Sequence, residues 1–338
     1  MNRKIRVCLV GAGRAGMIHA HNFRSRIQQA DLVAVVDPYE DAAKAACKEL
    51  EITKYYLDYR QAVSDGGIDA FVVVSPTKYH REIVIACADA KKHILCEKPM
   101  AITEDECDDM IEAAKRNKVK LQIGFMRRHD ESFQKAKEAV KNGEIGEVIM
   151  IKSLSHGPSK PMEWMYDLEK SNGVLAELNS HDIDTIRWFA ESELETVYAI
   201  GGNYKNREIA SKYPDYYDTL ILTGQFKNGI QANIDGAAYS QYGYDARVEI
   251  LGTEGLIRLG RTDAYNMKIY KKDKSINGTF IDSWRTLFKD AYLREDEHFV
   301  DCILNDREPA VTGLDGKMAV KVVKAGNTSI KEKKIVTL

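Results

Sequence analysis

The chain has 338 residues, of which 44% are hydrophobic and 30% charged, with a formal net charge of −2. That length is more than one core comfortably serves, so two domains of an ordinary soluble globular protein are expected. The near-neutral charge supplies no reason for nucleic acid or an anionic membrane as a partner, and no apolar run is long enough for a transmembrane span or shaped like a signal peptide.

The first apolar run, residues 5–10, leads directly into the glycine turn Gly11-Ala12-Gly13-Arg14-Ala15-Gly16. Further short runs follow at 32–36, 68–74, 93–96 and 119–125, alternating with helix-like stretches at 15–26, 41–50, 79–90 and 104–117. Near-continuous Val/Ile/Leu strands alternating with helices predict a doubly wound parallel sheet covered on both faces. After a helix at 130–141 the character changes. Longer, alternating strands are predicted at 148–155, 196–203, 217–226, 230–238, 247–251, 255–259 and 267–271, with a hairpin turn at Lys227-Asn228-Gly229. With helices at 173–190, 284–304 and 313–324, this half reads as a second α/β domain built on an open, mostly antiparallel sheet. The expected division is residues 1–126 and 127–338. Six cysteines, at 8, 47, 87, 96, 107 and 302, show no CxxC pairing and sit mostly in apolar runs. Reduced, buried thiols and a cytoplasmic location are therefore expected.

A GxGxxG string alone is weak, but this one has its context: a strand before it, a helix after it, and Asp37 closing the next strand. Gly11 permits the sharp turn, Gly13 lets backbone N–H groups approach a pyrophosphate, and Gly16 lets the helix pack closely with its N-terminus toward the phosphate charge. Asp37 suits the two hydroxyls of an adenosine ribose and repels a 2′-phosphate. Pro38-Tyr39-Glu40-Asp41 offer no cation to offset that repulsion, so NAD is expected rather than NADP. Arg14 either reaches a phosphate or lies solvated.

Ligands of open α/β sheets bind beyond the carboxyl ends of the strands. Ser75-Pro76-Thr77, Glu97-Lys98-Pro99 and Met126-Arg127-Arg128 all follow strands. Proline restricts the residue before it, which steadies Lys98; an ammonium there suits the charge that grows on an alcohol oxygen during hydride transfer, while an ordinary surface lysine is the plain alternative. Within 173–190, read as one helix, Val174, Leu178, Ile186 and Phe189 are core candidates, and Glu177, His181, Asp184 and Trp188 share a stripe. A histidine with a carboxylate one turn away is a plausible proton acceptor, and a solvated polar face is the alternative. The spacing of Glu177, His181, Asp182, Asp184 and His156 matches no strong metal pattern, so no metal is expected.

The order GxGxxG, acidic strand end, Ser-Pro-Thr-x-x-His, Glu-Lys-Pro, Arg-Arg-x-Asp and helical His-Asp-x-Asp resembles the Gfo/Idh/MocA oxidoreductases, with inositol 2-dehydrogenases and related sugar dehydrogenases the nearest members. The resemblance extends over nearly the whole chain, including Tyr242-Gly243-Tyr244-Asp245. It implies an N-terminal Rossmann domain and a C-terminal domain forming a substrate cleft and a subunit interface, hence a homo-oligomer, a dimer or tetramer. It also implies that Lys98 is catalytic, that His181 removes the hydroxyl proton, that Ser75, Thr77, His80 and Glu97 line the cofactor cleft, and that Arg127 lies near nicotinamide and substrate. Where the family usually has an aspartate one turn before that histidine, this chain has Glu177. His156, Trp164, Tyr242 and Tyr244 are further substrate candidates, each with a packing alternative. The expected activity is NAD-dependent oxidation of a secondary alcohol of a polyol, sugar or glycoside. Two alternatives stand beside it: an enzyme with tightly bound NAD that oxidises intact glycosides to keto-glycosides, and a non-catalytic NAD(H) sensor.

Overall fold

The computed structural model describes residues 4–338. The chain forms two compact units: residues up to Asp130 with Lys289–Val320, and Glu131–Phe288 with Lys321–Leu338. The division is thus not a single cut near residue 126. The segment Lys289–Val320 returns to the first unit because helix Lys289–Leu304 contributes Phe299 and Val300 to its core, beside Val7, Leu9, Phe23, Leu32, Val72 and Leu95.

Strands β1 (Ile5–Val10), β2 (Ala30–Val36), β3 (Tyr55–Tyr56), β4 (Ala70–Val73), β5 (His93–Glu97) and β6 (Leu121–Gly124) form the first unit's sheet. All neighbours are parallel, in the order β3-β2-β1-β4-β5-β6. β4 and β5 are buried almost throughout, as strands covered on both faces must be. Helix Glu104–Asn117 begins in a reciprocal capping box, with the Glu106 N–H donating to Thr103 Oγ1 and the Thr103 N–H to Glu106 Oε2. The two-residue strand β3 carries too little pattern to be read from sequence.

In the second unit β7 (Val148–Gly157), β8 (Leu194–Gly202), β9 (Thr219–Phe226), β10 (Gln231–Ala238), β11 (Asp245–Gly252) and β12 (Leu256–Leu259) are followed by the arm strands β13 (Asp263–Tyr270) and β14 (Ile276–Phe280) and the terminal β15 (Val336–Thr337). The seven-stranded sheet runs β12-β11-β7-β10-β9-β8-β15, with β7 and β10 parallel and the other neighbours antiparallel. The β9–β10 hairpin turns where expected, with Gly229 at φ 88°. One face of this sheet, marked by Ser153, Ser155, Ile234 and Gly236, is buried. All six cysteines are buried and unpaired, and no described helix is long and apolar enough to cross a membrane.

Two expected helices are interrupted. The 173–190 stretch is Gly173–Glu177 and Ser180–Ala190, separated at Leu178 and Asn179, and 284–304 is Trp284–Leu287 and Lys289–Leu304. Glu177 and His181 therefore do not share one regular helix face, and Leu178 is only half-buried.

Candidate active site

The glycine turn occupies the gap between β1 and β4, where the strand order reverses. Each glycine has its own reason. Gly11 sits at φ 100° and a Cβ there would lie 2.7 Å from the Val74 carbonyl oxygen, so the turn after β1 and the turn after β4 touch. A Cβ on Gly16 would lie 2.0 Å from the Gly11 carbonyl oxygen, so the helix must be bare there. A Cβ on Gly13 would meet nothing within 4 Å: this glycine faces open space at the head of helix Arg14–His21. That is the cradle a pyrophosphate needs. Ala15 and exposed Arg14 form the helix's first turn.

Asp37, 8% exposed, accepts hydrogen bonds from the Ala12 N–H at 3.0 Å and the Tyr39 N–H at 2.9 Å. Its carboxylate is thereby oriented beside the glycine turn, with lone pairs remaining for ribose hydroxyls. The Ser75 hydroxyl is buried with no protein hydrogen-bond partner, an opening for a ligand, and Thr77 stands at 5% exposure on the following turn. His80 lies behind these turns. It is 1% exposed, with Nε2 2.7 Å from the Ser75 carbonyl oxygen and Nδ1 3.0 Å from that of Pro99. It braces the turns that carry Ser75 and Lys98, its pKa kept below the ordinary value by burial.

Lys98 is half-buried at the end of β5, and its peptide bond to Pro99 is cis. Glu97 turns inward, accepting the Lys98 backbone N–H on Oε2 at 2.9 Å and meeting His19 Nε2 with Oε1 at 3.2 Å. Gly124 on the neighbouring strand makes room for that carboxylate, since a Cβ there would be 3.0 Å from Glu97 Cδ. Arg127 is 1% exposed on the 3-10 turn Met126–His129, whose next residue, Arg128, donates to Asp315 at 2.8 Å.

In the second unit His181 opens helix Ser180–Ala190 and is 6% exposed, and Asp184 is 1% exposed, so this is not a solvated face. Asp182 holds the helix in place. It accepts Ser153 Oγ at 2.5 Å and Asn179 Nδ2 at 2.9 Å. Gly236 on β10 is bare because a Cβ would lie 2.2 Å from Asn179 Oδ1. Asp182 enters the sequence reading within His-Asp-x-Asp and as a possible metal ligand, not as an anchor; the inward parity of Ser153 on β7 is the signal that could have found that role.

The same parity places two of the substrate candidates. His156 follows Ser153 and Ser155 on β7 but points to the other face, where Nε2 lies 3.1 Å from Asp235 and Nδ1 2.6 Å from Tyr242 Oη; Tyr242 donates to Asp245 at 2.9 Å. His156 and Tyr242 are thus brought together, but across the sheet from the helix of His181. Tyr244, the third, is 4% exposed with its ring edge-on to Phe288. Trp164 is half-buried on the turn Glu163–Tyr166, and Glu177 is half-buried at the end of its short helix. Trp188 of the supposed stripe sits beside Lys137, whose Nζ lies 5.7 Å from its ring centre.

A doubly wound sheet of this strand order takes a dinucleotide at its switch point, and the chain is an NAD-dependent oxidoreductase. It belongs to the Gfo/Idh/MocA family: residues 5–125 match the oxidoreductase family's NAD-binding Rossmann fold and residues 137–338 its C-terminal alpha/beta domain. It is 35% identical to the myo-inositol 2-dehydrogenase of Thermotoga maritima, over 99% of this chain and 98% of that protein. It is 31% identical to the scyllo-inositol 2-dehydrogenase (NAD(+)) of Bacillus subtilis, over 98% of this chain and 95% of the relative. The crystal structure of scyllo-inositol dehydrogenase from Lactobacillus casei with bound NAD(H) and scyllo-inositol superposes with a TM-score of 0.90 at 28% identity, covering 99% of each chain.

Proposed function

We propose that the chain is a dehydrogenase that oxidises a secondary alcohol of a cyclic polyol of the inositol class. The observation that carries the reading is Lys98, held at the carboxyl end of β5 by Glu97 and Pro99, in a chain similar over its whole length to inositol 2-dehydrogenases. Gly11, Ala12, Gly13, Arg14, Ala15, Gly16, Asp37, Ser75 and Thr77 would hold the dinucleotide, on the evidence of the open cradle, the oriented carboxylate and the unpartnered hydroxyl. Bound NAD supplies the acceptor for the hydride on the alcohol carbon.

The chain's own work is electrostatic and protonic. His181 accepts the hydroxyl proton on a ring nitrogen, and the Lys98 ammonium donates a hydrogen bond to the same oxygen as its charge grows. Glu177 orients His181 or the substrate, while Arg127 and Trp164 contribute to substrate recognition. Carboxylate and imidazole suit a substrate that is all hydroxyl, because polar groups left unpaired reject a poorer partner. The homo-oligomer remains part of the proposal; Ile200 and Ile221, paired across β8 and β9, are 60% and 54% exposed and suit cover by a second copy. A cytoplasmic location accords with the six unpaired thiols.

The test is NADH formation, followed by its absorbance, over a panel of inositol isomers, free sugars and glycosides. Turnover confined to inositols supports the reading; turnover confined to glycosides, or none with any alcohol, overturns it.

A further inference from the structure

Deep in the first unit, ionisable side chains from three distant parts of the chain meet. His19, with no exposed surface, has Nδ1 2.6 Å from Asp296 Oδ1 and Nε2 3.2 Å from Glu97 Oε1. Asn22 donates to the second Asp296 oxygen at 2.8 Å, and the Tyr292 ring stands edge-on to His19 at 5.3 Å. The second Glu97 oxygen accepts the Lys98 backbone N–H at 2.9 Å. Glu295, also without exposed surface, brings a carboxyl oxygen within 4.8 Å of His19 and Glu97, and neither of its oxygens has a hydrogen-bond partner.

His19, Glu97 and Glu295 could pass for a metal trio, but the imidazole has other work. An ionised carboxylate only accepts, so a ring with a carboxylate at each nitrogen carries a proton on each and has no lone pair for an ion. Burial works against that charge and pushes the Asp296 carboxyl up as well, yet the 2.6 Å contact with Asp296, and then Glu97, hold the His19 pKa well above its ordinary value. Burial first, and Glu97 second, push the Glu295 carboxyl well above the usual range. The groups facing His19 are Asp296, Glu97, Glu295, Asn22 and the Tyr292 edge.

We propose that His19 is a positioning residue for Lys98: clamped by Asp296, the imidazolium holds the Glu97 carboxylate against the Lys98 backbone N–H and so fixes where the ammonium stem leaves β5. The inference rests on the reading of Lys98 as catalytic. It adds a chain of contacts, Asp296 to His19 to Glu97 to Lys98, that runs from helix Lys289–Leu304 to the lysine. A buried pair of this kind is weak evidence for stability, which leaves its geometry as the property to test.

The test compares His19→Gln, Asp296→Asn, Glu97→Gln and the His19→Gln/Glu97→Gln double variant with the parent and with Lys98→Met. Each folded single variant is expected to lose roughly tenfold or more in kcat while KM and the Kd for NAD stay within about threefold, the signature of a misplaced group rather than lost binding. The double variant should be no slower than the slower single, because both changes cut one link. Should His19→Gln fail to fold, Asp296→Asn and Glu97→Gln, which preserve shape, carry the same outcomes. Folded variants with parental kcat and only a lower Tm would overturn the positioning role while Lys98→Met, inactive, leaves the catalytic reading standing. An active Lys98→Met would overturn both.

Discussion

Ser153 donates its hydroxyl to Asp182 at 2.5 Å, and this bond fastens the helix that carries His181 to strand β7. Asp182 has no exposed surface, and its second oxygen takes Asn179. Removing the acid strands two buried donors at once. Asp182→Ala is therefore expected to lower unfolding free energy by about 3 kcal/mol, and Ser153→Ala by about 1 kcal/mol. Urea midpoints with unchanged m-values would measure both; a neutral Asp182→Ala would contradict the anchoring role.

The three glycines of the turn separate folding from binding. Gly16→Ala places a methyl 2.0 Å from the Gly11 carbonyl oxygen and is expected to destabilise the first unit by more than about 2 kcal/mol. Gly13→Ala meets nothing within 4 Å and should fold normally, yet bind NAD at least tenfold more weakly, about 1.4 kcal/mol, because the methyl occupies the phosphate's space. Thermal melts with and without NAD distinguish the two.

Asp37 faces the glycine turn through the Ala12 N–H. Asp37→Ser should weaken NAD by about tenfold or more and narrow the preference against NADP, since the carboxylate both accepts from the ribose and repels a 2′-phosphate. Fluorescence titrations with NADH and NADPH would show it. An unchanged ratio of the two affinities would remove Asp37 from cofactor selection.

Glu295 makes a pH-dependent expectation. Its folded-state pKa lies well above the ordinary 4.5, first because of burial and then because of Glu97. Below 4.5 both states hold the proton and nothing is lost; as pH rises, the unfolded chain releases it first and the fold loses stability. Glu295→Gln abolishes that loss. Its Tm should exceed the parent's by roughly 3 °C or more near neutral pH, with the gain fading in acid. A gain independent of pH, or a lower Tm at neutral pH, would contradict a raised folded-state pKa for Glu295.

Much of the first unit was legible because strand and helix periods alternate cleanly there, and because Gly11, Gly13, Gly16 and Asp37 sit where the turn and the strand end require them. The break at Leu178 and Asn179 was not, since Val174, Leu178, Ile186 and Phe189 continue a helical apolar period straight through it. At the break Asn179 donates to Asp182, three residues on, and its side chain lies against Gly236 of β10, a neighbour no local pattern announces. The face of His156 was readable from the alternation of β7, since it is one position out of step with Ser153 and Ser155. His19 and Asp296 lie 277 positions apart, and no local pattern announces a pairing at that separation. For the same reason the return of Lys289–Val320 to the first unit leaves no linker-like composition to mark it.

The central claim is that Lys98 serves the chemistry and not the cofactor. Its most direct measurement is kcat for inositol oxidation by Lys98→Met beside the Kd of that variant for NAD. The account expects kcat to fall by roughly a thousandfold with NAD affinity within about threefold of the parent. Near-parental turnover in Lys98→Met, with NAD still bound, would contradict it.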